Sequence, residues 1–181
     1  MAYSPAMDQA IRFAIAAHAG QERKGQAGVP YLVHPIHVGM LLLRHEFAET
    51  VVIGGLLHDV LEDTRVTRDE LKSEFGEEVL GYLLEVSEDK SRPWVERKRH
   101  TIDSIVRMSR GALAITAADK VHNVGDIARL EDERGERAWQ VFTKPREMTL
   151  DYYRSVAREL EAHFPHPLTT ELLRLLARWD P

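Results

Sequence analysis

Apolar residues recur along this chain at three- and four-residue steps almost throughout, the spacing of helices that bury one face. In MDQAIRFAIAAHA (7–19), Ile11, Ala14, Ile15 and His18 align in this way, and Asp8 stands in the first turn. GQERKGQAGVPYLV (20–33) carries the Gly and Pro content of a loop. Pro35 then suits the first turn of a helix that continues through IHVGMLLLRHEF, with His34 at or beside its cap. Residues 50–62 form the next helix. Thr67 opens TRDE, a Thr-x-x-Glu capping box ahead of LKSEFG, and 77–86 reads as a further helix. SEDKSRPW (87–94) is a polar loop, 96–109 a charged helix and 112–130 an apolar helix that turns polar. EDERGER (131–137) is a solvated turn; 152–163 and 170–179 are the last helices, parted by the prolines of FPHPL. No repeat, low-complexity tract or β alternation interrupts this pattern. The expectation is an all-α single domain over 1–181, with a core at about 8–160 and a C-terminal helical extension at about 164–181.

Composition narrows the chemistry. With 181 residues, 44% hydrophobic and 29% charged, the chain can bury a sizeable core. It has no cysteine, so a metal would be held by His, Asp, Glu or main chain. No stretch reaches the roughly 20 apolar residues of a membrane span, and MAYSPAMDQA lacks the layout of a signal peptide, so a cytoplasmic location without membrane contact is expected. The net charge of −5 argues against a nucleic-acid surface. A small anionic ligand remains compatible, because Arg23-Lys24 and the group Arg92, Arg97, Lys98 and Arg99 are local basic clusters.

The stretch LLHDVLEDT (56–64) breaks the simple pattern. On a helical wheel with His58 at 0°, Glu62 falls at about 40°, Asp59 at about 100° and Asp63 at about 140°, while Ile53, Leu57, Val60 and Leu61 take the opposite arc. An acidic face meeting water is the ordinary explanation. Here Gly54, Gly55, Leu56 and Leu57 precede His58 with no solvated face, so carboxylates on that segment call for counter-charges or a metal. His34, at a helix start, and Asp119, within the apolar LAITAADK, complete a set of two imidazoles and two carboxylates. Such a set suits Mn²⁺, Fe²⁺ or Zn²⁺ with positions left for water.

The order H…HD…D resembles that of the HD-domain metal-dependent phosphohydrolases. AHAGQERKG, VPYLVHPIHV, GLLHDVLEDT, the FG of SEFGEEV, SEDK followed by ERKR, and AADKVHNVGD together resemble the hydrolase domain of the RelA/SpoT-type (p)ppGpp enzymes, in their small stand-alone form similar to the metazoan SpoT homologue. The resemblance runs from about residue 8 to about residue 160 and implies a single HD-domain helical bundle with a metal site between helices. It implies a Mn²⁺-dependent 3′-pyrophosphohydrolase whose substrate is a small guanosine nucleotide. By the same resemblance His34, His58, Asp59 and Asp119 are metal ligands, and Glu62 and Asp63 orient or deprotonate the attacking water. Arg23 and Lys24 contact the nucleotide, Lys90, Lys98 and Asn123 lie near phosphates and ribose, and Tyr152 or Tyr153 borders the nucleotide.

The residues' own chemistry agrees. A pyrophosphate ester needs cations, Arg23 has a flat face for a purine, and a carboxylate beside a metal can take a proton from water. His18, His37, His45 and His122 read as structural or surface groups, with His122 nearest the site in sequence. The chain departs from the family pattern in three places: Thr116 stands where a Lys is usual, Gly125 where Arg is frequent, and SEDK where TDDK is common. Gly125 bears on phosphate affinity and substrate preference. The competing readings are an HD-type enzyme acting on another nucleotide such as NADPH, and a nucleotide sensor without turnover. The synthetase activity of long family members is expected to be missing from a chain of 181 residues.

Overall fold

The structure, a computed structural model, describes residues 4–180. Its helices are α1 (Pro5–Ala17), α2 (Val33–Arg44), α3 (Glu49–Leu57), α4 (Val60–Asp63), α5 (Arg68–Val86), α6 (Trp94–Ser104), α7 (Arg110–Arg134), α8 (Arg146–His163) and α9 (Pro167–Leu176). Short 3-10 turns occupy Ile105–Arg107, Gly135–Val141 and Ala177–Trp179. Among the described residues the extended pairing is confined to one isolated bridge, Glu22 to Pro30, within the loop before α2. The expected all-α architecture is what the chain adopts.

Caps and breakers set most boundaries. Ser4 caps α1 through Met7 N–H, and Thr67 with Glu70 closes the expected capping box on α5. Inside α5, Gly76 has φ +82°, a left-handed conformation that kinks the helix where the sequence suggested two segments.

Several boundaries differ from the sequence expectation. α7 runs on to Arg134, so the first half of EDERGER is helical; Gly135, at φ 60°, ends it. α8 begins at Arg146 and α9 at Pro167, each earlier than expected, because Pro145 and His166 stand as extended residues just ahead of them. α6 stops at Ser104 and passes into a 3-10 turn short of Ser109. The helix expected over 50–62 is interrupted after Leu57. There His58 Nδ1 donates to Gly55 O at 2.8 Å. In a continuous helix that carbonyl would serve the Asp59 N–H.

α7 is the central element, touching α2, α3, α5, α8 and α9. One apolar core extends from Ala10 in α1 to Leu176 in α9. Every residue from Val51 to Leu57 is buried, which explains the continuous hydrophobic run in α3. α2 and α3 approach closely because two glycines face the contact. A Cβ on Gly39 would stand 2.7 Å from Leu56 Cδ2, and one on Gly55 would overlap Leu42. That approach brings the start of α2, with His34, against the end of α3, with His58. In α9, Leu168, Leu172 and Leu176 are buried, and the helix packs on α7 and α8.

Candidate metal centre and active site

Three elements converge on one point: the first turn of α2, the broken turn between α3 and α4, and the middle of α7. His34 and His58 are 2% and 5% exposed, and their Nε2 atoms lie 3.1 Å apart. Asp59 Oδ2 is 3.0 Å from His58 Nε2 and 3.5 Å from His34 Nε2. Asp119 Oδ1 is 3.3 Å from His34 Nε2 and 3.9 Å from His58 Nε2. The donor atoms of His34, His58 and Asp59 all fall within 4.8 Å of one another. All four residues singled out from sequence therefore meet, across 85 positions of chain, at the floor of a cavity of about 170 Å³.

The imidazole protons can be assigned from their partners. His58 Nδ1–H is committed to Gly55 O, so Nε2 turns a lone pair inward. His34 Nδ1 lies 2.8 Å from His122 Nδ1. Burial, then the neighbouring His34, His37 and Arg23, push the His122 imidazole down to about 3. His122 is thus neutral; with a cation on His34 Nε2, the His34 proton sits on Nδ1 and His122 accepts it. Two inward-facing ring nitrogens and two carboxylates around one point demand a cation or protons.

The electrostatics express this demand. Burial alone would lower His58, but Asp59 and then Asp119 outweigh it and hold its imidazolium up to about 9. Burial pushes His34 below the ordinary imidazole value, against the pull of Asp119. Burial opposes the charge of both aspartates. His58 still holds Asp59, and Lys120 with His34 holds Asp119, below the usual carboxylate range. Lys120 Nζ bonds Asp119 Oδ2 at 2.5 Å, while Asn123 Nδ2 donates to Oδ1.

Glu62 and Asp63 form the adjacent wall. Asp63 is tied to Lys90 and stands 3.5 Å from the Tyr31 hydroxyl, which also donates to Asp59 Oδ2. Glu62 Oε2 accepts from the Glu88 N–H at 3.2 Å, and its Oε1 is 3.6 Å from Lys90 Nζ. Burial, and then Asp59, raise the Glu62 carboxyl above its ordinary value, so it takes a proton more readily than an exposed glutamate.

The remaining candidates divide. Lys98, Lys120 and Asn123 line the cavity above the His34, His58, Asp59 and Asp119 cluster. Arg23 Nη2 reaches Asn123 Oδ1 (3.2 Å) and Asp126 Oδ2 (3.0 Å), and its guanidinium lies 5.8 Å from the Tyr31 ring centroid. Arg23 faces a larger cavity of about 930 Å³ between α2, α7 and α9. Lys24 is exposed and lies over Phe142 at 5.6 Å, away from that cluster. Tyr152 is buried beneath Lys98 (4.7 Å) and Lys120 (5.7 Å), and borders a crevice between α6 and α8 with Trp94; Tyr153 packs beside it at 5.2 Å. Sequence reasoning passed over Tyr31, Glu88 and Lys120 and set His122 aside. Tyr31 lies three residues before His34, the spacing of one helical turn, and was the most accessible signal.

Residues 10–144 match the HD-domain family. The chain belongs to the HD-domain family. Among curated HD-domain relatives, the human guanosine-3′,5′-bis(diphosphate) 3′-pyrophosphohydrolase MESH1 is 38% identical over 127 residues, covering 69% of this chain and 71% of the relative. The Borreliella burgdorferi enzyme of the same activity is 33% identical over 138 residues, 71% of this chain but 20% of that longer protein. A solved metazoan orthologue of SpoT that hydrolyses ppGpp superposes with a TM-score of 0.83 at 28% identity, covering 98% and 97% of the two chains. A Listeria monocytogenes EGD-e structure gives 0.75 at 30% identity, covering 80% and 97%. HD domains are metal-dependent, and the donor set found here fits a divalent cation: two inward-facing Nε2 atoms, two carboxylates, and Gly55 O fixing one ring from behind. No helix among the described residues is long and apolar enough to cross a membrane.

Proposed function

We propose that this HD-domain chain is a divalent-metal-dependent guanosine-3′,5′-bis(diphosphate) 3′-pyrophosphohydrolase, acting on a small guanosine nucleotide in the cytoplasm, with Mn²⁺ the preferred ion. The single observation that carries the reading is the meeting of His34, His58, Asp59 and Asp119 beside the Glu62–Asp63 wall. The catalytic unit is the one HD domain, with residues 164–181 as its C-terminal extension.

His34, His58, Asp59 and Asp119 would hold the ion, which supplies a more acidic bound water and polarises a phosphoryl oxygen. Glu62 is the better placed proton acceptor of the acidic pair, since burial raises its carboxyl while Asp63 is engaged by Lys90. Lys98, Lys120 and Asn123 stand on the cavity wall where the phosphates and ribose would bear. Arg23, with Lys24 beyond it and Tyr152 behind Lys98, belongs to the nucleotide-binding surround. Water would add at the phosphorus bound to the ribose 3′ oxygen and pass one proton to Glu62; the bond from that phosphorus to the 3′ oxygen breaks, the leaving oxygen takes a proton from solvent, and Glu62 returns its proton to solvent. ppGpp and water thus give GDP and pyrophosphate.

Chromatography with a phosphate assay tests this on ppGpp, with NADPH as a comparison substrate and with a chelator as control. GDP and intact pyrophosphate in equal amounts, lost on chelation and restored by Mn²⁺, are expected. Early orthophosphate, or a guanosine product still phosphorylated at the 3′ position, would overturn the reading.

A further inference from the structure

Glu88 lies in the polar loop after α5, where solvent contact is the ordinary expectation, yet its side chain is 8% exposed. Its carboxylate is fully engaged by α6. Oε1 accepts from Lys98 Nζ at 2.7 Å and from Thr101 Oγ1 at 3.0 Å, and Oε2 accepts from Arg97 Nη1 at 2.7 Å. Its main-chain N–H donates to Glu62 at 3.2 Å, so the residue touches the catalytic wall as well as α6. Burial opposes its charge, but Lys98 and then Lys120 keep the carboxyl below the ordinary range.

We propose that Glu88 is a positioning residue that acts through Lys98, holding its ammonium at the wall of the metal cavity where a phosphate of the substrate would meet it. The proposal rests on the nucleotide hydrolase reading above. Lysine is a flexible cation that loses rotamer freedom when it is held in one place. Here it is fixed beforehand from two sides, by the Glu88 carboxylate at 2.7 Å and by the Tyr152 ring at 4.7 Å. An ammonium has three donors and Glu88 engages one oxygen, so Lys98 keeps donors for a phosphate. The competing view is a staple that only ties the 87–93 loop to α6; it predicts lost stability without an effect that depends on Lys98.

A double-mutant cycle separates the two. The proteins are wild type, Glu88→Gln, Lys98→Ala and the double variant, each as the full chain at saturating Mn²⁺. Two readouts are taken: KM and kcat on ppGpp, and inorganic pyrophosphate affinity by titration calorimetry, which needs no turnover. Glu88→Gln is expected to raise KM and weaken pyrophosphate binding about tenfold, the loss of one charge-assisted contact, with a smaller change in kcat. In the Lys98→Ala background the same substitution should change either readout less than about twofold. Thr101→Val removes one bond to Glu88 without stranding a charge; it should shift KM in the same direction by less, and it carries the cycle if Glu88→Gln does not fold. Losses that multiply in the double variant, or a melting temperature that falls while KM and pyrophosphate affinity stay at wild-type values, would overturn the proposal. Failure of the functional reading shows separately, as wild-type protein that leaves ppGpp intact, and the pyrophosphate arm still decides the role of Glu88.

Discussion

Removing the ring nitrogen of His122 should loosen the proposed metal centre although His122 lies outside the four proposed ligands. Its Nδ1 is 2.8 Å from His34 Nδ1, and its ring is sandwiched between those of His34 and His37 at 4.8 and 4.6 Å. His122→Phe keeps the ring and deletes the acceptor. The His34 Nδ1–H, in a residue 2% exposed, would then lack its partner. An unmet buried donor costs about 1–3 kcal/mol. Loss of an outer-shell partner weakens metal binding about 10–100-fold, or roughly 1.4–2.7 kcal/mol at 1.36 per decade. The two estimates agree. His122→Asn places an amide oxygen near the lost nitrogen and should recover most of the affinity. Competition titration with a chromogenic chelator measures both variants, with thermal melts of the chelated proteins as the folding control. If His122→Phe binds Mn²⁺ within about threefold of wild type, or His122→Asn is as weak as His122→Phe, the assigned hydrogen bond does not orient His34.

Three other substitutions probe separate parts of the structure. Asp59→Ala should abolish metal content and turnover together, whereas Glu62→Gln should keep most of the metal and lose at least about 100-fold in kcat; metal analysis of the purified variants distinguishes ligand from base, and Glu62→Gln turning over at the wild-type rate would remove Glu62 from that role. Gly55→Ala would drive a methyl into Leu42 at the α2–α3 contact and should lower stability by about 1–3 kcal/mol, read as a lower urea midpoint at constant slope. Because the folded-state Glu88 carboxyl is depressed below 4.5, its stabilisation is present above pH 4.5 and fades as pH falls through the folded value. The stability gap between wild type and Glu88→Gln in urea melts should therefore shrink below pH 4.5; a gap that widens in acid would contradict an ionised, paired Glu88.

The helical character of the chain was legible from its three- and four-residue periodicity, because an amphipathic helix must repeat its buried face whatever it packs against. Residues 56–64 were legible for the opposite reason: charges within an apolar run have no cheap explanation, so His58, Asp59, Glu62 and Asp63 stood out. His34 and Asp119 could be nominated from residue type and order. Their convergence was decided in space, by the close α2–α3 approach that Gly39 and Gly55 permit and by α7 crossing both. Local periodicity also missed the break after Leu57, where the buried His58 side chain takes the Gly55 carbonyl. His122 and Glu88 carry no sequence signature of their own, and Tyr31 only its spacing of three residues before His34. A phenol, an imidazole and a carboxylate in polar surroundings are common, and only packing reveals that Tyr31 donates to Asp59, His122 meets His34 and Glu88 holds Lys98. A hydrogen bond is fixed by angstrom-scale distance between groups far apart in the chain, and periodicity along the chain does not encode that distance.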